Sequence, residues 1–131
     1  MKRLLPLFAL ILLLPGCGGG GSSTTSKFAG SWTGPWTTSA LGQSGTMDVS
    51  ISSIGSVSGT VANTTLGQTG TITGTVNSVG FLSCTVAFST SNLNISGTTS
   101  ITNGGQLSGS QAEVQSPTGI TDTFTETLTR L

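Results

Sequence analysis

From Lys27 onward the chain alternates apolar and polar residues with a period of two. Phe28, Trp32 and Trp36 take even positions, with Gly30 and Gly34 between them. Met47, Val49, Ile51, Val57 and Val61 are odd, and the even set returns with Ile72, Val76, Leu82, Cys84, Val86 and Phe88. Leu93, Ile95 and Leu107 are odd again. In the last run Phe124 and Leu128 are even, while Thr occupies every odd position from Thr121 to Thr129. Such a period puts successive side chains on opposite faces, so it predicts strands with one buried face. Threonine, β-branched and half polar, suits the other face of a pleated sheet. Turn signals separate the runs: Gly42 to Gly45, Ser53 to Ser56, Leu66 to Gly70, Asn77 to Gly80, Ser89 to Asn92, Asn103 to Gly105, and Ser116 to Gly119 around Pro117. The reading is eight strands, near 28–38, 45–52, 56–64, 69–77, 81–89, 92–101, 106–114 and 119–130. Links this short connect antiparallel neighbours, because parallel pairs need long crossovers. The predicted fold is therefore all-β, an antiparallel up-and-down barrel of about eight strands. A barrel of that size is just wide enough inside to be filled by side chains or to hold one small ligand.

A short repeat runs through the strands: Ser58-Gly59-Thr60-Val61, Thr73-Gly74-Thr75-Val76, Ser96-Gly97-Thr98-Thr99 and Ser108-Gly109-Ser110-Gln111. Each glycine falls on the apolar parity. Glycine there marks a sharp strand bend or the close approach of a neighbour. The alternative is that the missing side chains open a cavity. A solenoid would also repeat, but the glycines are spaced irregularly and the unit is very short.

The N-terminus carries an address. Met1-Lys2-Arg3 is a basic start, followed by an apolar run from Leu4 to Leu14. Roughly 18 residues are needed to span a bilayer as a helix, so this run reads as a signal-peptide core. Leu14-Pro15-Gly16-Cys17 resembles the lipobox of bacterial lipoproteins, with Pro15 a less usual choice before the small residue. The resemblance implies cleavage before Cys17, a thioether-linked diacylglycerol on Cys17 and an acylated new N-terminus. Gly18, which follows, is not the aspartate that marks inner-membrane retention in enteric bacteria. By that rule the resemblance points to a lipid anchor in the bacterial cell envelope, at the outer membrane of a Gram-negative host. An ordinary secretory peptide ending by chance in cysteine is the alternative. The expected organisation is a signal peptide at 1–16, lipidated Cys and tether at 17–26, and a β-barrel at 27–131. Gly18 to Ser26, all Gly, Ser and Thr, has the composition of a flexible linker.

The two ends of the barrel region carry a second likeness. Phe28-Ala29-Gly30-Ser31-Trp32 resembles the Gly-x-Trp opening of lipocalin-like (calycin) barrels, and Thr127-Leu128-Thr129-Arg130 closes the last strand. The resemblance implies that Trp32 plugs one end of the barrel and that Arg130 lies across its indole. The chain is shorter than true lipocalins and lacks their disulfides and other motifs.

Composition narrows the chemistry. Of 131 residues, 64 are Thr, Ser or Gly, and only 6% are charged. There is no His, the commonest general base and metal ligand. Four Lys and Arg in the whole chain cannot form a stripe along nucleic acid. Beyond residue 26, Lys27 and Arg130 stand against Asp48, Glu113, Asp122 and Glu126. Asp122 and Glu126 share the parity of Phe124, which turns them inward if the strand is regular, with Arg130 available as a partner. A bulge or strand end would instead leave them in solvent. With Cys17 taken by lipid, Cys84 has no partner for a disulfide, and its parity with Leu82, Val86 and Phe88 places it in a core. No enzyme activity, cofactor or metal is expected. Trp36, Phe88 and Phe124 are the candidates to contact a ligand. Two functions remain open: an envelope-anchored barrel that binds a small apolar ligand or lipid, or a non-catalytic structural or interaction lipoprotein with a filled barrel. A cavity of several hundred Å³ would favour the first. The expected partners are the membrane, through the N-terminal lipid, and that apolar ligand, with no nucleic acid.

Overall fold

Strands form where the alternation runs. The computed structural model describes residues 25–131; the signal-like segment, Cys17 and the tether up to residue 24 lie outside the described residues. The strands are β1 (Gly30–Thr38), β2 (Ser44–Ile51), β3 (Ser56–Asn63), β4 (Gln68–Val76), β5 (Phe81–Ala87), β6 (Asn92–Ile101), β7 (Leu107–Ser116) and β8 (Thr121–Arg130). Each pairs antiparallel with the next, and β1 pairs with β8, so the sheet closes into an up-and-down barrel. No helix occurs among the described residues. Among the described residues the strand pairing runs from Gly30 to Arg130 and closes the ring.

The strand ends depart from the sequence expectation by one or two residues. β1 begins at Gly30 rather than at 28 because Phe28 leaves the sheet to bury its ring. The turn that carries it is held by Ala29 N–H donating to Ser26 O and Phe28 N–H to Ser26 Oγ. β7 extends to Ser116, two residues past the expected end.

Met47, Val49 and Ile51 point inward from β2, Leu82, Cys84 and Val86 from β5, and Phe124 and Leu128 from β8. Burying each large apolar side chain contributes about 1.5–3 kcal/mol. Cys84 is a free, buried thiol, so this packing, without a disulfide in the described domain, holds the barrel together. Outside, the Thr- and Ser-rich face pairs across strands, as in Ser110 with Thr125 at 2.9 Å and Thr85 donating to Asn94 at 3.2 Å. Such pairs each contribute a few tenths of a kcal/mol, to about 1.

The repeated glycines mark close approach. A side chain at Gly59 would run into Asp48, one at Gly74 into Ser83, and one at Gly109 into Thr98, each on an adjacent strand. Up-and-down topology sorts the turns to two ends. Residues 25–29 and the turns at 52–55, 77–80 and 102–106 lie at the end where the chain enters β1, the end of the expected tether. The turns at 39–43, 64–67, 88–91 and 117–120 lie at the other.

Candidate functional site

Three places in the barrel carry polar chemistry: its interior, its tether end and the turn between β1 and β2. The interior group is built on β6, β7 and β8. Leu107 fixes the inward parity of β7, so Gln111 and Glu113 also face in, and both are buried. Glu126 faces in from β8 beside Phe124 and Leu128. Glycine makes the room. Gly97, at φ +150°, has the Cα of Gln111 3.0 Å from where its own Cβ would stand, and a Cβ on Gly109 would sit 2.5 Å from Gln111 Nε2. Folded over these two backbones, Gln111 donates from Nε2 to Thr98 O at 3.0 Å and to Glu126 Oε1 at 2.9 Å. The Thr99 hydroxyl donates to the same Oε1 at 3.0 Å. Glu126 Oε2, Gln111 Oε1 and Glu113 Oε2 are buried without a partner.

Burial dominates the titration of this group. It pushes the Glu126 carboxyl up to about 7, against the opposing pull of the Gln111 and Thr99 hydrogen bonds. Glu113 is likewise pushed up to about 7 by burial, helped by the negative charge of Asp122. Arg130 is not the partner that the sequence suggested for Glu126, because its guanidinium is committed at the barrel end, where Nη1 donates to Ala29 O at 2.6 Å. Burial also drives the Cys84 thiol up to about 12, which removes thiolate chemistry at neutral pH.

Asp122 behaves in the opposite way. Partial burial acts to raise its pKa, but the N–H groups of Ala40, Leu41 and Thr123, with the Thr38 hydroxyl, outweigh it and hold the carboxyl well below the usual range. The Ala40 and Leu41 bonds measure 2.7 and 2.9 Å, so Asp122 ties the β1–β2 turn to β8. Its side chain serves the turn and not the interior.

At the tether end, Trp32 pairs in register with Arg130, whose Cζ lies 4.3 Å from the indole centroid. Trp32 is fully buried and donates from Nε1 to Phe28 O at 2.8 Å. Arg130 Nη1 passes directly over Gly30, where a Cβ would stand only 2.7 Å away at a φ of +138°. That is the physical need for glycine two residues before the tryptophan. Replacing Arg130 by Ala is expected to cost roughly 1–2 kcal/mol from the stack and its backbone hydrogen bonds. Lys should restore only part, because an ammonium has no planar face to lie on the ring. In a urea-unfolding cycle with Trp32→Leu, the coupling should exceed the few tenths seen for distant sites. Additive losses would show that the stack contributes nothing.

The aromatic candidates for ligand contact are core side chains. Trp36 and Phe124 stack on each other at 5.1 Å between centroids and 18° between planes, both buried. Phe88 is buried against Gly70, where a Cβ would approach its ring to 2.8 Å. The interior holds a cavity of about 20 Å³ among Met47, Val49, Ile72, Leu107, Phe124 and Glu126. Among the described residues, no three His, Cys, Asp or Glu side chains gather into a group able to hold a metal ion. Cys17 lies outside the described residues. In comparisons with protein-family models, curated proteins and solved structures, the chain matches none.

Proposed function

We propose that this chain is a lipid-anchored protein of the bacterial envelope whose barrel serves as a non-catalytic structural or interaction module. The observation that carries this reading is the filled interior. A cavity of about 20 Å³ has room for roughly one water molecule, whereas pockets for small ligands run to about 300–1,000 Å³. The stacked Trp36 and Phe124 rings occupy the space that an apolar guest would need. The buried Glu126–Gln111–Thr99 group supports the same reading, since its donors are satisfied internally. The stack of Arg130 on Trp32 supports a lipocalin-like layout without a lipocalin-like cavity.

The lipid half of the proposal rests on Leu14-Pro15-Gly16-Cys17. A thioether needs a thiol, so Cys17→Ser should abolish incorporation of labelled palmitate in a bacterial host. Equal labelling of the variant would overturn the anchor. Native mass spectrometry of the purified barrel tests the other half: the bare chain mass is expected, and a stoichiometric small-molecule adduct would restore the carrier function.

A further inference from the structure

The two ends of the barrel differ in charge and in how far their apolar tips stand out. At the tether end Ile54 is 81% exposed on the β2–β3 turn, and Val79 is 77% exposed on the β4–β5 turn, with Phe81 beside it at 47%. Lys27 and Arg130, the cations among the described residues, stand at this same end. The acidic side chains among the described residues do not: Asp48 lies within β2, Glu113 within β7, and Asp122 and Glu126 within β8. The far end shows Leu41, Leu66 and Ile120 at 40%, 51% and 42% exposure, with the Asp122 carboxylate anchored in its β1–β2 turn. Apolar tips joined to positive charge fit an interface of acyl chains and anionic headgroups.

The covalent path selects the same end. The chain leaves the barrel at Lys27 and reaches Cys17 ten residues earlier, a span of at most roughly 35 Å. A lipid on Cys17 therefore keeps this end close to the bilayer. At such effective concentrations even weak insertion of a few side chains would be populated.

We propose that the tether end is a membrane-docking face, with Ile54 and Val79 entering a bilayer surface and Lys27 and Arg130 meeting anionic headgroups. The proposal rests on the reading of Cys17 as lipid-bearing. It gives the barrel one orientation, with the turns carrying Leu41, Leu66 and Ile120 directed away from the membrane and free to meet partners.

The test uses the full lipidated chain in vesicles of equal parts phosphatidylglycerol and phosphatidylethanolamine. An environment-sensitive fluorophore is placed on Ile54→Cys, on Val79→Cys or on Leu66→Cys. Cys84 is buried, with its thiol held up to about 12, so it stays unlabelled in the folded barrel. Probes at 54 and 79 should shift to the blue and be quenched several-fold by brominated lipid, while the probe at 66 does neither. Lys27→Glu should reduce the quenching at 54. If intact mass shows diacylglycerol on Cys17 yet the probes at 54 and 79 behave like that at 66, the docking face is wrong and the anchor stands. If the mass shows no lipid, residues 25–131 carrying the same probes, added to the same vesicles, judge the face alone. A blue shift of that barrel that grows with protein concentration without vesicles would overturn the proposal in favour of a second copy of the chain.

Discussion

Glu126→Gln is expected to stabilise the barrel by roughly 2–3 kcal/mol at neutral and alkaline pH, and to weaken its response to pH. In the folded state burial holds the carboxyl up to about 7, against an ordinary value of 4.5. Below about 4.5 the carboxyl is protonated both folded and unfolded and contributes nothing to the pH dependence. Between 4.5 and about 7 the unfolded chain releases the proton while the barrel retains it. The unfolded state then binds fewer protons, so stability falls as pH rises. Above the folded value both states are charged and the loss levels off. A glutamine keeps an oxygen that can accept from Gln111 Nε2 and the Thr99 hydroxyl, and it never has to bury a charge. Glu113, also raised to about 7, adds a dependence of the same sign that survives in the variant. Asp122 works the other way. Its folded value is depressed by backbone hydrogen bonds, so its stabilisation is present above its unfolded value and is lost on acidification. Stability of the parent protein should therefore decline at both sides of mildly acidic pH. Urea unfolding of both proteins across the pH range checks this. A parent that grows more stable up to neutral pH would mean that the Glu126 carboxylate is charged and solvated.

The barrel was legible because its core obeys parity almost without exception. Met47, Val49 and Ile51, then Leu82, Cys84 and Val86, are inward in the closed sheet, and short turns leave an antiparallel meander little freedom. The ends of the elements were less legible. Phe28 shares the parity of β1, but it serves as a buried cap outside the strand, and alternation alone does not separate those uses.

The polar interior was half legible. Glu126 sits on the parity of Phe124 and Leu128, which marks it as inward. Its partner could not be found along its own strand. Four residues of extended chain cover about 13 Å, too far for Arg130 to reach it while lying on Trp32. The partners come from β6 and β7, and a neighbouring strand is identified only when the register is known. Gln111 and Glu113 did carry a signal, since Leu107 sets the odd face of β7 as inward. Their polarity hid it, because a polar residue on an apolar parity reads first as a lapse in the pattern. The two glycines that make space for Gln111 read in sequence as bends or as the close approach of a neighbour, and only the packing assigns Gly97 and Gly109 to that side chain.

Trp36→Ala should cost roughly 3–5 kcal/mol, the range for removing a buried aromatic from a core that cannot collapse. The ring is almost wholly buried and stacks on Phe124 at 5.1 Å. Its Nε1 donates to Ala62 O at 3.1 Å and to Thr46 O at 3.3 Å, so the indole links β1 to the backbone of β2 and β3. Gly45 allows this, since a Cβ there would lie 3.0 Å from Trp36 Cζ2. Neither Gly45 nor the paired strands can move inward to fill the void, because all eight strands are tied into one hydrogen-bonded ring. The variant should therefore contain an aromatic-sized cavity against Phe124. An apolar ligand that binds only the folded state raises stability in proportion to its occupancy. Indole should accordingly raise the thermal midpoint of Trp36→Ala, while leaving the parent barrel and a Trp36→Phe control nearly unchanged. Scanning calorimetry with and without indole reads both effects at once. Equal stabilisation of the parent would mean that its interior already admits a guest, and the barrel would then be a carrier whose own aromatic rings give way to its cargo.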